Sequence, residues 1–200
     1  GSTAPWGANG SGGRIAVRYD PPAQGGMPPP AIQYSVLPGG LPPPADRSSG
    51  YNQLQADIGT VHFPDAALLC DPINVSGQIL LDGLSWAPNR LTISNQWIRF
   101  PQEGFRLTVS NDVTILKGAT VGRLDIGASV LTNFGVGTTG GAWNGYRFFG
   151  ASTAPELQVG GSLVLTNGAL LHVYSAPTNG VAPEYGALVN VGGTMRIEEN

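Results

Sequence analysis

The chain has 200 residues, of which 30 are Gly and 17 are Pro, and only 12% are charged. Gly and Pro weaken helix interiors, and about a quarter of the residues in an average globular domain are charged, so this composition excludes an all-α fold. A hydrophobic fraction of 41% with a net charge of −3 excludes a fully disordered chain and allows a buried core.

Charge and cysteine content limit the partners and cofactors. Ten basic residues against thirteen acidic ones form no basic stripe, so we expect no nucleic-acid partner. No stretch approaches about 18 consecutive apolar residues, so we expect no membrane-spanning helix. Cys70 is the only cysteine, which leaves neither an intrachain disulfide nor a thiolate metal site. We expect no cofactor.

The first zone, residues 1–20, is a Gly-rich lead that runs into a short alternating segment. Ile15, Val17 and Tyr19 alternate with basic or small residues, a period of two that predicts a half-buried strand. The Gly-rich lead precedes a strand and not a helix, so it lacks the geometry of a phosphate-binding loop.

The second zone, residues 21–50, is rich in proline. Its proline runs, 21–22, 28–30 and 42–44, favour polyproline II or irregular backbone, because proline fixes φ and has no N–H donor. Residues 32–36 are its one strand candidate. We interpret the zone as an arm or strap; a ligand for an aromatic groove is the alternative.

The third zone, residues 51–200, is a succession of short strand candidates separated by Gly, Asn, Pro or Ser, and no segment has a convincing helical period. The candidates are 59–63, 78–81, 91–95, 107–111, 113–116, 122–126, 163–167 and 195–197. We interpret this zone as the main folded domain.

Internal repeats suggest how these strands are arranged. The segment 91–95 recurs sixteen residues later, a related segment begins at Leu124 after seventeen more, and 157–167 aligns with 189–200 at an offset of 32. Such repeats predict an all-β, right-handed parallel β-helix, or β-solenoid, with a Pro-rich N-terminal strap. Adjacent coils should then stack Leu107 on Leu124 and Val159 on Val191. An antiparallel sandwich remains the alternative.

Asparagine follows several of the strand candidates. Because Asn tolerates the left-handed backbone region, we expect these residues to form the corners of the coils, with their side chains stacked in a hydrogen-bonded ladder. They are Asn95, Asn111, Asn133 and Asn167.

Several segments resemble parts of large, Gly-rich β-helical surface proteins of environmental bacteria. Residues 10–20, 58–65 and 97–105 carry this resemblance, and 163–169 and 189–197 are similar to the repeats of those proteins. The resemblance implies a solenoid in an extracellular or cell-surface protein, and it implies no catalytic residue. The start of the chain has no recognisable leader, so we expect either a removed signal or an excerpt of a longer protein.

Charged residues offer weak candidates for catalysis. The densest acidic group, which could serve hydrolysis or hold Ca²⁺ for elimination, is Asp57, Asp65, Asp71 and Asp82, followed by Arg90 and Arg99. Their spacing matches no ligand loop, and adjacent prolines favour turn roles for Asp65 and Asp71. His62 and His172 could form a metal pair if their strands met, but outward-facing strand positions explain them more simply.

The best binding candidate is the segment 140–150. Its residues Trp143, Tyr146, Arg147, Phe148 and Phe149 could stack on sugar rings or cover a protein partner. The alternative is that this loop closes an end or a side of the solenoid.

The sequence therefore favours a structural or adhesive extracellular element and not an enzyme. The alternatives are a carbohydrate-active enzyme of the polysaccharide-lyase or glycosidase type, and a sugar-binding module. The last strand candidate resembles the middle of a coil. We therefore expect that end to be completed either by further coils of a longer chain or by a neighbouring subunit. Completion by a neighbouring subunit would build a filament.

Overall fold

The computed structural model describes residues 12–28, 31–37, 58–102, 104–119, 121–132, 147–150, 155–173 and 187–198; for 128–132 and 147–150 it describes the backbone alone. Within these ranges the chain is all-β, and its larger sheets are parallel. None of the helices in these ranges has the length and hydropathy needed to cross a bilayer.

Three parallel sheets make up most of this structure. Sheet 1 has the order β1 (Arg14–Ala16), β3 (Thr60–Phe63), β4 (Val75–Leu81), β7 (Trp97–Phe100), β10 (Arg123–Ile126), β15 (Leu170–Val173), with β2 (Tyr34–Ser35) also beside β4. Sheet 2 has the order β5 (Ser85–Trp86), β8 (Arg106–Val109), β13 (Glu156–Val159), β16 (Leu188–Val191). Sheet 3 has the order β6 (Leu91–Ser94), β9 (Val113–Leu116), β14 (Leu163–Thr166), β17 (Met195–Glu198).

The chain visits the sheets in a constant order. The order is sheet 2, sheet 3, sheet 1. The first passage is β5, β6 and β7, the second is β8, β9 and β10, and the third is β13, β14 and β15. The chain then enters sheets 2 and 3 again as β16 and β17. Each passage adds one strand to each sheet, so strands that are neighbours in a sheet come from successive passages.

This order corrects part of the predicted stacking. Val159 pairs with Val191, as the offset of 32 residues predicts. The pairing of Leu107 with Leu124 is wrong, because Leu107 lies in sheet 2 and pairs with Leu157, whereas Leu124 lies in sheet 1 and pairs with Ile98. The offset of sixteen residues leads from β6 in sheet 3 to β8 in sheet 2, and the offset of seventeen leads from β8 to β10 in sheet 1. Neither offset relates neighbouring strands of one sheet.

One hydrophobic core lies between the three sheets. Alternate side chains of every sheet point into it. Those of β6, β8, β10 and β14 are all buried: Leu91, Ile93, Leu107, Val109, Leu124, Ile126, Leu163 and Leu165. Aromatic rings pack against one another within it: Phe100 and Phe105 stack with their centroids 4.4 Å apart, and the Trp86 ring lies 5.8 Å from that of Phe100. Burial of these aliphatic and aromatic groups is the main stabilising contribution, at roughly 25 cal/mol per Å² of apolar surface.

A separate antiparallel hairpin leaves the path after β10. Its strands β11 (Ala128–Thr132) and β12 (Arg147–Gly150) pair with each other in a sheet of their own. The hairpin lies in sequence between β10 and β13, so it enlarges one passage without changing the order of the sheets.

The N-terminal zones differ from expectation in two respects. The strand predicted to be half-buried is β1, and all three of its residues are exposed. Within the Pro-rich zone, β2 lies inside the predicted strand segment, but residues Pro21–Gln24 form the short helix α1. Proline suits the first helical turn, because an N–H there needs no helical partner. Gln24 N donates to Asp20 O at 3.0 Å and Gly25 N to Pro21 O at 2.9 Å, which closes this turn.

The asparagine corners are confirmed in part. Asn95 and Asn167 have φ values of 56° and 59° and end strands of sheet 3. The four residues do not form one ladder, because Asn111 follows sheet 2, at another corner. There its Nδ2 donates to Oδ1 of Asn89 in the preceding passage at 2.7 Å, an asparagine contact of the predicted kind. Asn133 lies outside the described residues.

Candidate functional site

The outer face of sheet 1 carries a buried polar cluster. Parallel pairing places Arg99, Asp125 and His172 side by side on β7, β10 and β15, and places Trp97 beside Arg123 two residues earlier. The inward positions between them are aliphatic or aromatic, so the alternation of the strands turns these five side chains away from the core. Three of them are nevertheless buried, with Asp125 0%, Arg99 2% and Trp97 7% exposed, whereas the His172 side chain is 38% exposed.

The carboxylate of Asp125 is the centre of this cluster. Its Oδ2 accepts hydrogen bonds from Trp97 Nε1 at 2.8 Å and Arg99 Nε at 3.4 Å. Arg123 Nε lies 2.7 Å from Oδ1 and 2.9 Å from Oδ2, and His172 Nδ1 lies 3.0 Å from Oδ1. An ionised carboxylate only accepts, so this His172 nitrogen carries the proton.

The indole of Trp97 completes the cluster. The guanidinium carbon of Arg123 lies 4.4 Å from the ring centroid and that of Arg99 lies 5.3 Å away, both within cation–π range. Trp97 thus contacts Asp125 through its N–H and both arginines through its ring.

The protonation of Asp125 follows from these neighbours. Burial raises its pKa, but the hydrogen bond of His172, the hydrogen bond and charge of Arg123, and the hydrogen bond of Trp97 together lower it more, so the pKa lies below the ordinary 3.8. The group is therefore charged at neutral pH, enclosed and engaged with four side chains. Such a carboxylate holds three strands together and is poorly placed to meet a substrate.

The acidic residues singled out in the sequence have separate partners. Asp65 Oδ1 accepts from Ala67 N at 2.8 Å, a local turn bond that confirms its predicted turn role, and it also accepts from the Tyr19 hydroxyl. Burial and this contact with Asp65 raise the pKa of Tyr19. Asp71 accepts from Thr92 N at 2.7 Å, which ties its loop to β6 in place of a local turn.

The remaining charged candidates are also dispersed. Asp82 lies 2.9 Å from His62 Nε2 on the exposed face of sheet 1. Arg99 belongs to the Asp125 cluster, Arg90 is exposed, and Asp57 lies outside the described residues. The described contacts thus assign these carboxylates to different partners.

The two histidines do not meet. His62 lies on β3 and His172 on β15, and three strands of sheet 1 separate them, which corresponds to about 19 Å at the usual strand spacing. The metal pair considered from the sequence is therefore wrong. Within the part of the chain that the structure describes, no group of three or more His, Cys, Asp or Glu side chains could hold a metal ion.

The aromatic binding candidates lie in and next to the hairpin. Arg147, Phe148 and Phe149 are on β12, where their backbones pair with Thr132, Leu131 and Val130 of β11. Trp143 and Tyr146 lie outside the described residues. A binding role for this segment stays a prediction.

The comparisons with known proteins add no relative: no family model, no curated protein and no solved structure matches this chain.

Proposed function

We propose that this chain is a structural or adhesive element with a right-handed parallel β-helix fold, part of an extracellular or cell-surface protein. The observation that carries the proposal is the constant register across successive passages: Leu107 pairs with Leu157, and Leu157 with Val189. Parallel connections of this kind are right-handed in nearly all proteins, which supports the handedness.

The use of charge supports a structural role over catalysis. Asp125 binds strands β7, β10 and β15 to one another, and Asp71 binds a loop to β6. These two carboxylates therefore bind backbone N–H groups and the side chains of neighbouring strands, whereas glycoside hydrolysis needs two carboxyl groups that face a substrate. The resemblance to Gly-rich β-helical surface proteins supports the extracellular location.

An activity assay tests this proposal against the enzyme alternative. We expect no turnover of a panel of acidic and neutral polysaccharides, with and without Ca²⁺, because Asp65, Asp71 and Asp82 each engage a structural partner. The proposal would be contradicted by turnover that is lost in Asp71→Asn or Asp82→Asn. The control is Glu198→Gln, at the far end of sheet 3, which should keep any such turnover.

We also propose that copies of the chain associate end to end. The last strands expose several large apolar side chains, among them Leu188, Val189, Met195 and Ile197. Exposed strand edges with apolar neighbours favour pairing with another chain. If opposite ends of two copies met, the contact would propagate into a filament. Light scattering tests this part, and a chain that stays monomeric at high concentration contradicts it.

A further inference from the structure

An apolar surface lies where the three sheets reach their last described strands. It consists of the inward side chains of β15, β16 and β17, and we call it the end surface: Leu171, Val173, Val189, Val191, Met195 and Ile197. An open cavity of about 550 Å³ lies among most of them. Met195 is 54% and Ile197 67% exposed, whereas their neighbours Leu163 and Leu165 in the preceding strand are buried.

The backbone of β17 presents hydrogen-bonding groups beside this surface. Leu163 N donates to Thr194 O at 2.9 Å, so the even-numbered residues of this parallel strand face β14. Met195 and Ile197 then direct their N–H and C=O groups to the other side of β17, which is the outermost strand of sheet 3 among the described residues. Within the described part of the chain, no strand pairs with these groups.

The charges on β17 select the direction of that strand. Arg196 and Glu198 flank Ile197 on the outer face, where they form an exposed ion pair. If a second β17 runs antiparallel with Ile197 opposite Ile197, each Arg196 lies opposite the other copy's Glu198. The central residues then exchange backbone bonds, and each charged pair takes the non-hydrogen-bonded position, where side chains are closest. The strand is self-complementary under a two-fold axis.

At the other end of sheet 3, the edge of β6 is already bonded at Thr92. There, Ile73 N donates to Thr92 O at 2.9 Å, and Asp71 Oδ1 accepts from Thr92 N at 2.7 Å. These bonds occupy the backbone groups of Thr92 on the side of β6 that faces away from β9. A head-to-tail contact would therefore place β17 against an edge that is already bonded.

We propose that the partner of the end surface is a second copy of this chain, joined by a two-fold axis through the antiparallel pair of β17 strands. This inference rests on the proposed end-to-end association and specifies its geometry. An isologous contact of this type closes on itself, so the product is a dimer and not a filament.

Two charge variants test this geometry. In Arg196→Glu and in Glu198→Arg, both cross-strand pairs become like-charged, and we expect each variant alone to dimerise about tenfold more weakly than the wild type. Mixed in equal amounts, the two variants restore both opposite-charge pairs, so we expect a heterodimer close to wild-type affinity. Sedimentation velocity, with one variant carrying a fluorophore on Cys70, measures both. The double variant Arg196→Glu/Glu198→Arg is the matched control and should dimerise as the wild type does.

The possible results distinguish the two-fold pairing of β17 from the broader proposal of end-to-end association. Rescue on mixing supports the two-fold contact. Filaments with a head-to-tail repeat in electron microscopy overturn it while keeping end-to-end association, and a wild-type monomer at about 100 µM overturns both. Dimers that the charge variants leave unchanged, or that mixing does not restore, overturn the two-fold pairing of β17. Circular dichroism of each variant shows whether the fold is intact.

Discussion

Asp125 joins three strands of sheet 1 through its side chain. One buried carboxylate contacts side chains from β7 and β15 as well as Arg123 on its own strand. Removing one partner of a buried ion pair costs about 3–5 kcal/mol, because the remaining charge stays buried without compensation. The cluster thus supplements the backbone ladder of sheet 1 with side-chain bonds across three passages.

We therefore expect Asp125→Asn to lower the free energy of unfolding by about 3 kcal/mol at pH 7. The pKa of Asp125 is lower in the folded protein than its unfolded value near 3.8, so its stabilising effect is complete above that value and is lost as pH falls through the folded pKa. The difference between wild type and variant should accordingly shrink below pH 3.8. Urea denaturation between pH 7 and pH 3 measures it.

The control for this experiment is Asp82→Asn. That carboxylate is exposed and contacts only the exposed His62 in the described structure, so its loss should change stability by less than about 0.5 kcal/mol. Equal effects of the two substitutions at pH 7 would show that the Asp125 cluster is not a stabilising feature.

Sequence reasoning missed this cluster for a physical reason. It identified 122–126 as a strand, but it assigned no role to Asp125 within that strand. The signal in the sequence was the presence of Asp within a strand candidate, because Asp is unfavourable in strands and needs partners there. Its partners Trp97 and His172 are 28 and 47 residues away, so only the register of the sheets brings them together.

At the scale of elements, the corners after sheet 2 depend on glycine. A Cβ on Gly160 would lie 2.2 Å from Ser110 O, and one on Gly192 would lie 2.5 Å from Gly160 O. Successive corners therefore stack backbone on backbone, with Gly160 N donating to Val109 O and Gly192 N to Val159 O, both at 2.8 Å. This close approach explains why the Gly-Gly pair recurs in the repeat at 32 residues.

Gly160→Ala should lower the free energy of unfolding by about 1–3 kcal/mol, since the added methyl group must push a backbone carbonyl away. Gly83→Ala is the matched control: a Cβ there meets nothing within 4 Å, and the substitution should be neutral or slightly stabilising. Guanidinium denaturation midpoints compare the two. A Gly160→Ala protein as stable as the control would mean that the corners are not tightly stacked.

At the scale of the whole molecule, sequence patterns predicted the strands better than their partners. Period-two segments bounded by Gly or Asn became strands, because half-buried strands and tight corners require these residues locally. The pairing of Leu107 with Leu124 failed because all three sheets present similar aliphatic pairs to one core, so consecutive strands look alike whichever sheet they join. The 32-residue repeat succeeded because it includes a corner as well as two strands.

The hairpin β11–β12 should be dispensable for the sheets. Ser85 pairs with Arg106 at an offset of 21, Arg106 with Glu156 at 50, and Glu156 with Leu188 at 32, so the register persists through connections of different length. We expect replacement of residues 129–152 by a short Gly/Ser linker to leave the thermal unfolding midpoint within about 5 °C. Replacing 118–121, next to the Gly122 corner that packs on Leu116 O, is the destabilising comparison. Loss of the strand circular dichroism signal in the hairpin variant would contradict this expectation.

The bonds that Asp71 and Ile73 make to Thr92 also bear on misassembly. A bare parallel edge templates the addition of foreign strands, and repeated addition leads to amyloid-like growth. At the β6 edge, a carboxylate and a short stretch of backbone occupy the groups that an incoming strand would need. Uncontrolled extension of sheet 3 is therefore hindered at the β6 edge. Among the described residues, the charged strand β17 is the opposite edge of this sheet.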